Sequence, residues 1–142
     1  MGNKKNINMK SILTILFCLT ILASSYGQQT EKPENDKRDY NLISSYDQST
    51  KKWSKWEKTE EVFVLNYNHS GDIARFRPNK EMILYKKTSD VPIEKGKTSS
   101  GENYQIITAR EGFLKYEFQF FDNPGVGLEL NVGTIKLRFS QN

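Results

Sequence analysis

Cysteine and histidine are all but missing from this chain, and neither sign of charge dominates it once its first residues are set aside. Cys18 is the only cysteine and lies in an apolar N-terminal stretch. His69 is the only histidine and sits in Asn-His-Ser-Gly, a turn sequence. A Ser-His-Asp triad or a histidine-rich metal centre would need partners that are not there. The chain also has no Gly-x-x-x-x-Gly-Lys loop, no Gly-x-Gly-x-x-Gly and no Gly-x-Ser-x-Gly. P-loop, dinucleotide-binding and α/β-hydrolase chemistry are therefore excluded. No apolar run approaches the roughly 20 residues of a transmembrane helix.

What the N-terminus does hold is ordered like a secretory signal peptide. MGNKKNINMK carries three lysines and no acid, Ile12 to Ala23 is apolar, and SSYG supplies small residues before Gln28. Cleavage is expected after Gly27, and Met9 is an alternative start. Cys18 is not a lipoprotein cysteine, because Phe17 precedes it. Asn6 stands where a myristoylation site wants Ser or Thr. Residues 1–27 hold Lys4, Lys5 and Lys10 and no acid, so a formal charge of +4 falls to about +1 in the expected mature chain. Nucleic acid as a partner loses its electrostatic case. The expected mature chain is also free of cysteine, and about 115 residues must supply a core without disulfides.

Residues 28–38 are polar, contain Pro33 and are expected to be a flexible lead-in. From Asp39 onward apolar residues recur with a period of two. In FLKYEFQFF, residues 113 to 121, Leu114, Tyr116, Phe118 and Phe120 share one parity and Lys115, Glu117 and Gln119 the other, which predicts a strand with one wet face. TIKLRFS repeats the pattern as a closing strand. EVFVLNY and EMILYKK are apolar on both parities and are expected to be covered on both faces. YNLISSY, DIARF, YQIITAR and GLELNV complete the set. HSGD, RPNK, EKGKTSSGEN, REG, DNPGVG and NVGT provide the turns. The expectation is a single all-β domain over 39–142, a small antiparallel β-barrel or β-sandwich of about seven or eight strands.

Two local groups are candidates for binding. KKWSKWEK, residues 51 to 58, places two tryptophans among lysines; in an extended chain they point to opposite faces. Trp53 is expected to enter the core and Trp56 to remain exposed. In DIARFRPNK, Arg75 and Arg77 share a parity opposite to Phe76, so an open face there would offer two guanidinium groups to an anion or an acidic partner. Pairing with Glu57, Glu60 or Glu61 across the hairpin is the plainer alternative. Tyr104 and Asp122 are weaker candidates near strand and turn ends. No metal or cofactor is expected.

The chain resembles a group of short exported proteins common in Bacteroidota such as flavobacteria. The resemblance rests on the signal ending in SYGQ, on WSKW, NYNHSGDI and SGENYQ, and on FQFFDNPGVGL. It implies a Gram-negative source, hence periplasm or medium, and lends no activity, cofactor or catalytic residue. The favoured expectation is a non-catalytic binding or interaction module of the cell envelope, using Trp56, Arg75, Arg77, Tyr104 and Asp122 toward a small ligand or envelope protein. The alternatives are a small envelope-polymer hydrolase with Asp72 and Asp122 as paired carboxylates, and a structural subunit that adds an edge strand to an assembly.

Overall fold

Alternation in the sequence becomes a wall with an inside and an outside. The computed structural model describes residues 34–141; the expected signal peptide lies outside the described residues. Ten strands follow one another: β1 (Asp36–Asp47), β2 (Lys52–Trp53), β3 (Glu57–Tyr67), β4 (Asp72–Phe76), β5 (Met82–Lys87), β6 (Glu94–Lys97), β7 (Asn103–Glu111), β8 (Leu114–Phe121), β9 (Leu128–Val132) and β10 (Ile135–Ser140). Eight of them, in the order β1-β3-β4-β5-β7-β8-β9-β10, form a closed antiparallel barrel, β10 returning to β1 through Leu42↔Ser140 to Ser45↔Leu137. These eight are the segments that the period of two picks out. Among the described residues no helix is long and apolar enough to cross a membrane.

Closure needs β1 to serve two neighbours. Its first part pairs with β3 (Asp36↔Leu65 to Ile43↔Glu57), with the register shifting between Tyr40 and Leu42, where Thr59 and Glu60 of β3 stand opposite the single residue Asn41. Such a bulge bends a strand and increases its twist, as a barrel wall requires. A second shift between Leu65 and Tyr67 falls on Asn66, which has φ 56°. β1 begins at Asp36, inside the stretch expected to be a flexible lead-in. Arg38 explains why: it donates to the Phe121 carbonyl at 2.8 Å and lies 5.4 Å from the Phe120 ring centroid.

The inside is filled. Tyr40, Phe63, Leu65, Ile73, Tyr85, Ile107, Phe118, Phe120, Leu128, Leu130 and Phe139 are buried against one another. Phe63 is the hub, edge-on to Phe139 at 5.2 Å, Tyr40 at 5.8 Å, and Phe118 and Phe120 at 6.3 Å. Eight strands leave an interior about wide enough for their own side chains, and aromatic rings of this size occupy it.

Two strands lie off the barrel. β2 is a short return onto β1 (Tyr46↔Trp53, Asp47↔Lys52). β6 lies on the edge of β7 that β5 uses farther along: β5 meets β7 at Lys86↔Arg110 and Lys87↔Ala109, and β6 follows from Glu94↔Ile106 to Lys97↔Asn103. The expectation of a single long turn over EKGKTSSGEN is corrected here, because its first four residues are a strand. Both added strands are short and lysine-bearing, the means by which natural sheets discourage further pairing. The long apolar edge that a strand-adding subunit would present is not found at β2 or β6.

The outer face of β3, β4 and β5 departs from expectation in a milder way. Val62, Val64, Phe76 and Leu84 are half-buried and Met82 is exposed, arranged around the fully buried Ala74 in the rows Val62↔Phe76↔Met82 and Val64↔Ala74↔Leu84. These strands pack their neighbours' side chains along the outer surface. No second layer covers them among the described residues.

Candidate functional site

The two arginines of DIARFRP share a parity, but that parity faces inward. Arg75 pairs across the ladder with Phe63, and Glu61 lies two residues before Phe63 on the same inward row. The guanidinium donates from Nε to Glu61 Oε2 at 2.8 Å and from Nη2 to Oε1 at 2.9 Å. It also sits 5.5 Å from the Phe63 ring centroid and 5.2 Å from that of Phe139. Glu61 is 4% exposed and Arg75 8%. Arg75 is therefore not on an open anion-binding face. The carboxylate consumes its fork and aromatic rings cover it. Burial alone would lower its pKa, and Glu61 outweighs that and raises it.

Tyrosines line the rest of this end of the interior. The Tyr85 ring is 4.8 Å from that of Tyr116, whose hydroxyl donates to Glu111 Oε2 at 2.9 Å. Burial raises the Tyr85 pKa in spite of Arg75. Burial and then the bond to Glu111 push Tyr116 up to about 12. Both phenols stay protonated near neutral pH, and the ion pair between them and the core is closed on itself.

Arg77 lies just beyond, in the β4–β5 hairpin, exposed and bonded to Glu81 Oε2 at 3.3 Å. Trp56 is 47% exposed immediately before β3, at the same end of the barrel. Trp53 does not enter the core, contrary to expectation. β2 is a return onto β1, so parity cannot be carried from Trp53 into β3. Its ring lies on the outer surface, edge-on to Tyr46 at 5.3 Å, with the Arg138 guanidinium 3.8 Å from its centroid. Trp56, Arg75 and Arg77 therefore do not form one surface.

Tyr104 and Asp122 do come together, at the opposite end. β7 brings Tyr104 and the end of β8 brings Asp122, whose N–H donates to the Asn103 carbonyl at 3.0 Å. With Lys95, Gly96, Asn103 and Gln105 they line a groove of about 450 Å³. Gly96 is directly opposite Tyr104 in the ladder. A Cβ added at Gly96 would lie 2.5 Å from the Tyr104 hydroxyl oxygen and 2.6 Å from the ring carbon bearing it. The missing side chain lets the tyrosine lie across β6, as glycine in a strand permits close approach. Phe121, its partner in β8, meets the ring edge-on at 6.0 Å.

Sequence reasoning missed Lys95, Gly96, Asn103 and Gln105. The readable signal was a glycine between two lysines, a few residues before an aromatic strand. It resembles a loop until the ladder is known.

The paired-carboxylate reading is not assembled. Asp72 accepts from Lys86 Nζ and from the Lys87 N–H, each at 2.9 Å. Burial would raise its pKa, but these bonds and the Ser70 hydroxyl outweigh burial and lower it. A carboxylate held ionised in this way is a poor proton donor. The strands β5 and β7 separate Asp72 from β8, and the two grooves that Asp122 lines do not include it. Among the described residues no three His, Cys, Asp or Glu side chains cluster as a metal centre would require.

No family model, curated protein or solved structure matches this chain.

Proposed function

We propose that the protein is an exported, non-catalytic binding module of the cell envelope that meets its ligand at one end of the barrel, in the open groove lined by Tyr104 and Asp122. One observation carries the reading. The interior is occupied by aromatic rings and a self-neutralised ion pair, whereas Tyr104 is held in place over Gly96 at the wall of an open groove. A filled barrel serves as a rigid frame, and a rigid frame reduces the entropy lost when surface side chains engage a ligand. The order of charged, apolar and small residues before Gln28 supports export.

Co-sedimentation with isolated envelope fractions tests it. The wild-type chain is expected to sediment with the envelope, and Tyr104→Ala with Asp122→Asn to stay in the supernatant. Equal sedimentation of both proteins sinks the groove as the binding site. Mass spectrometry of the protein recovered from a producing cell checks export, with a chain beginning at Gln28 expected.

A further inference from the structure

We infer that the end of the barrel opposite the Tyr104 groove docks on a bilayer of anionic phospholipid. This end shares no residue with the groove and adds a second contact to the binding-module reading. Antiparallel strands joined in order around a barrel put their connections alternately at its two ends. One end therefore carries the β1–β3 connection, with its short β2, and the β4–β5, β7–β8 and β9–β10 hairpins. The other carries the β3–β4 turn, the segment between β5 and β7, and the β8–β9 loop. In the first set, Gln48 donates to the Thr134 carbonyl at 2.8 Å, which ties the rim together where the barrel closes.

That rim gathers apolar side chains. Of the seven large apolar residues exposed among the described residues, five lie there: Trp56, Met82, Phe113, Leu114 and Ile135. Phe113, in the two-residue β7–β8 turn, is exposed over its whole surface. Two of the five continue the core. The inward row of β8 runs from buried Phe120 and Phe118 through half-buried Tyr116 to Leu114, 55% exposed. That of β10 runs from buried Phe139 through half-buried Leu137 to Ile135, 56% exposed. At the groove end the same two rows finish in Asp122 and Gln141.

Charge divides the same way. The connections of the apolar rim hold Lys51, Lys52, Lys55, Arg77 and Lys80 against Glu81, whereas those of the groove end hold Lys95 and Lys97 against Asp90, Glu94, Glu102 and Asp122. Within the next two residues of the rim strands, Lys58, Arg110, Lys115 and Lys136 at the surface still outnumber Asp47, Glu57 and Glu111. Apolar tips among ammonium groups match an anionic bilayer: the rings and aliphatic chains enter below the headgroups, and the lysines meet a negative surface potential. A soluble polyanion would draw on the lysines and leave Phe113 in water. The contact is shallow, comparable to one acyl anchor, and such a contact alone is marginal and reversible. In a dilute envelope suspension the groove supplies the hold, and this end sets the direction in which the groove faces, away from the membrane.

Protein recovered from producing cells would be mixed with vesicles at millimolar lipid, one set of phosphatidylglycerol with phosphatidylethanolamine and one of phosphatidylcholine alone. Both tryptophans of the chain lie in the β1–β3 connection, so their emission reports on this end. It should shift to the blue on the anionic vesicles and be quenched by acyl-chain bromine, with little change on the neutral ones. Phe113→Ser should weaken partitioning by at least about tenfold, the scale of exposing one aromatic side chain. Lys51→Glu with Lys52→Glu should weaken it by as much. Ile93→Ser with Val126→Ser, which removes the exposed apolar pair of the groove end, should change nothing, with circular dichroism confirming that each variant remains folded.

No binding to the anionic vesicles, or undiminished binding of Phe113→Ser, overturns the assignment; if the lysine variant alone loses binding, the end is a polyanion site instead. Tyr104→Ala with Asp122→Asn should bind vesicles as wild type does, and its failure to do so moves the lipid contact to the groove and overturns the docking end. If envelope sedimentation proves independent of Tyr104 and Asp122 while vesicle binding still requires Phe113, the groove reading falls and the docking end stands.

Discussion

Arg75 and Arg138 make the same set of contacts in two different solvents. Each donates its Nε to a glutamate, Arg75 to Glu61 at 2.8 Å and Arg138 to Glu129 at 2.9 Å, and each lies against aromatic rings. The first pair is sealed in the barrel, with side chains 10% and 4% exposed; the second is on the outer wall, with 38% and 30%. In the interior both charges have lost their water, so each depends on the other. Outside, water and salt compete for both groups, and the contact with Trp53 mainly pins the β2 return against β10. One interaction is thus a structural necessity and the other a surface clasp, although their distances are nearly equal.

The sharpest way to break that contrast is Glu61→Ala, which leaves the Arg75 guanidinium buried and unpaired. Unfolding in urea should show a loss of about 3–5 kcal/mol. Replacing both partners, Glu61→Leu with Arg75→Met, should recover most of it, because the cost lies in the orphaned charge more than in the pair. A loss under about 1 kcal/mol for the single variant would mean that water reaches the guanidinium.

Alkali should probe the interior a second way. Burial pushes the Tyr40 phenol up to about 12, against an ordinary value near 10. The folded state therefore holds that proton more tightly than the unfolded chain. The associated stability is complete below pH 10 and is lost as the pH rises from about 10 to about 12, amounting to roughly 2–3 kcal/mol. Tyr40→Phe should make the fall of the unfolding midpoint across that window shallower, the remaining slope belonging to Tyr116, also pushed up to about 12, and to Tyr85. An unchanged slope would show that Tyr40 ionises in the folded barrel as freely as in water.

The smallest effect is expected outside. Arg138→Ala should cost about 0.5–1 kcal/mol and shift the Trp53 emission to the red as the ring loses its cover. Raising the salt to about 1 M should shrink the difference between wild type and this variant, while leaving the Glu61 penalty nearly intact. Equal salt sensitivity at the two sites would erase the distinction.

The eight barrel strands were legible because each buries one face. Period-two spacing such as Leu114, Tyr116, Phe118 and Phe120 records that burial directly. β2 and β6 were not, since two residues and a lysine-rich four have no period to show. Arg75 was placed on the correct parity and the wrong side: apolar Phe76 looks like the inward residue, and only a bidentate Glu61 under aromatic rings makes an inward arginine tolerable. Trp53 failed for a related reason, because parity holds along one strand and the chain leaves β2 before it enters β3. Tyr104 and Asp122 were singled out separately. Their meeting depends on ladder register, which local pattern does not encode.

The seam between β1 and β10 ties the first strand of the barrel to its last, through residues such as Ile43 and Phe139 that are roughly a hundred positions apart. A chain delivered from its N-terminus, whether by a ribosome or through an export pore, must therefore hold an unclosed ribbon until β10 emerges. Tyr40 and Phe63 cannot be sealed from water before Phe139 arrives to pack against them. Closure is timed by the end of delivery, so the last strand of the chain, and not the first hairpin, sets the moment at which the barrel becomes rigid.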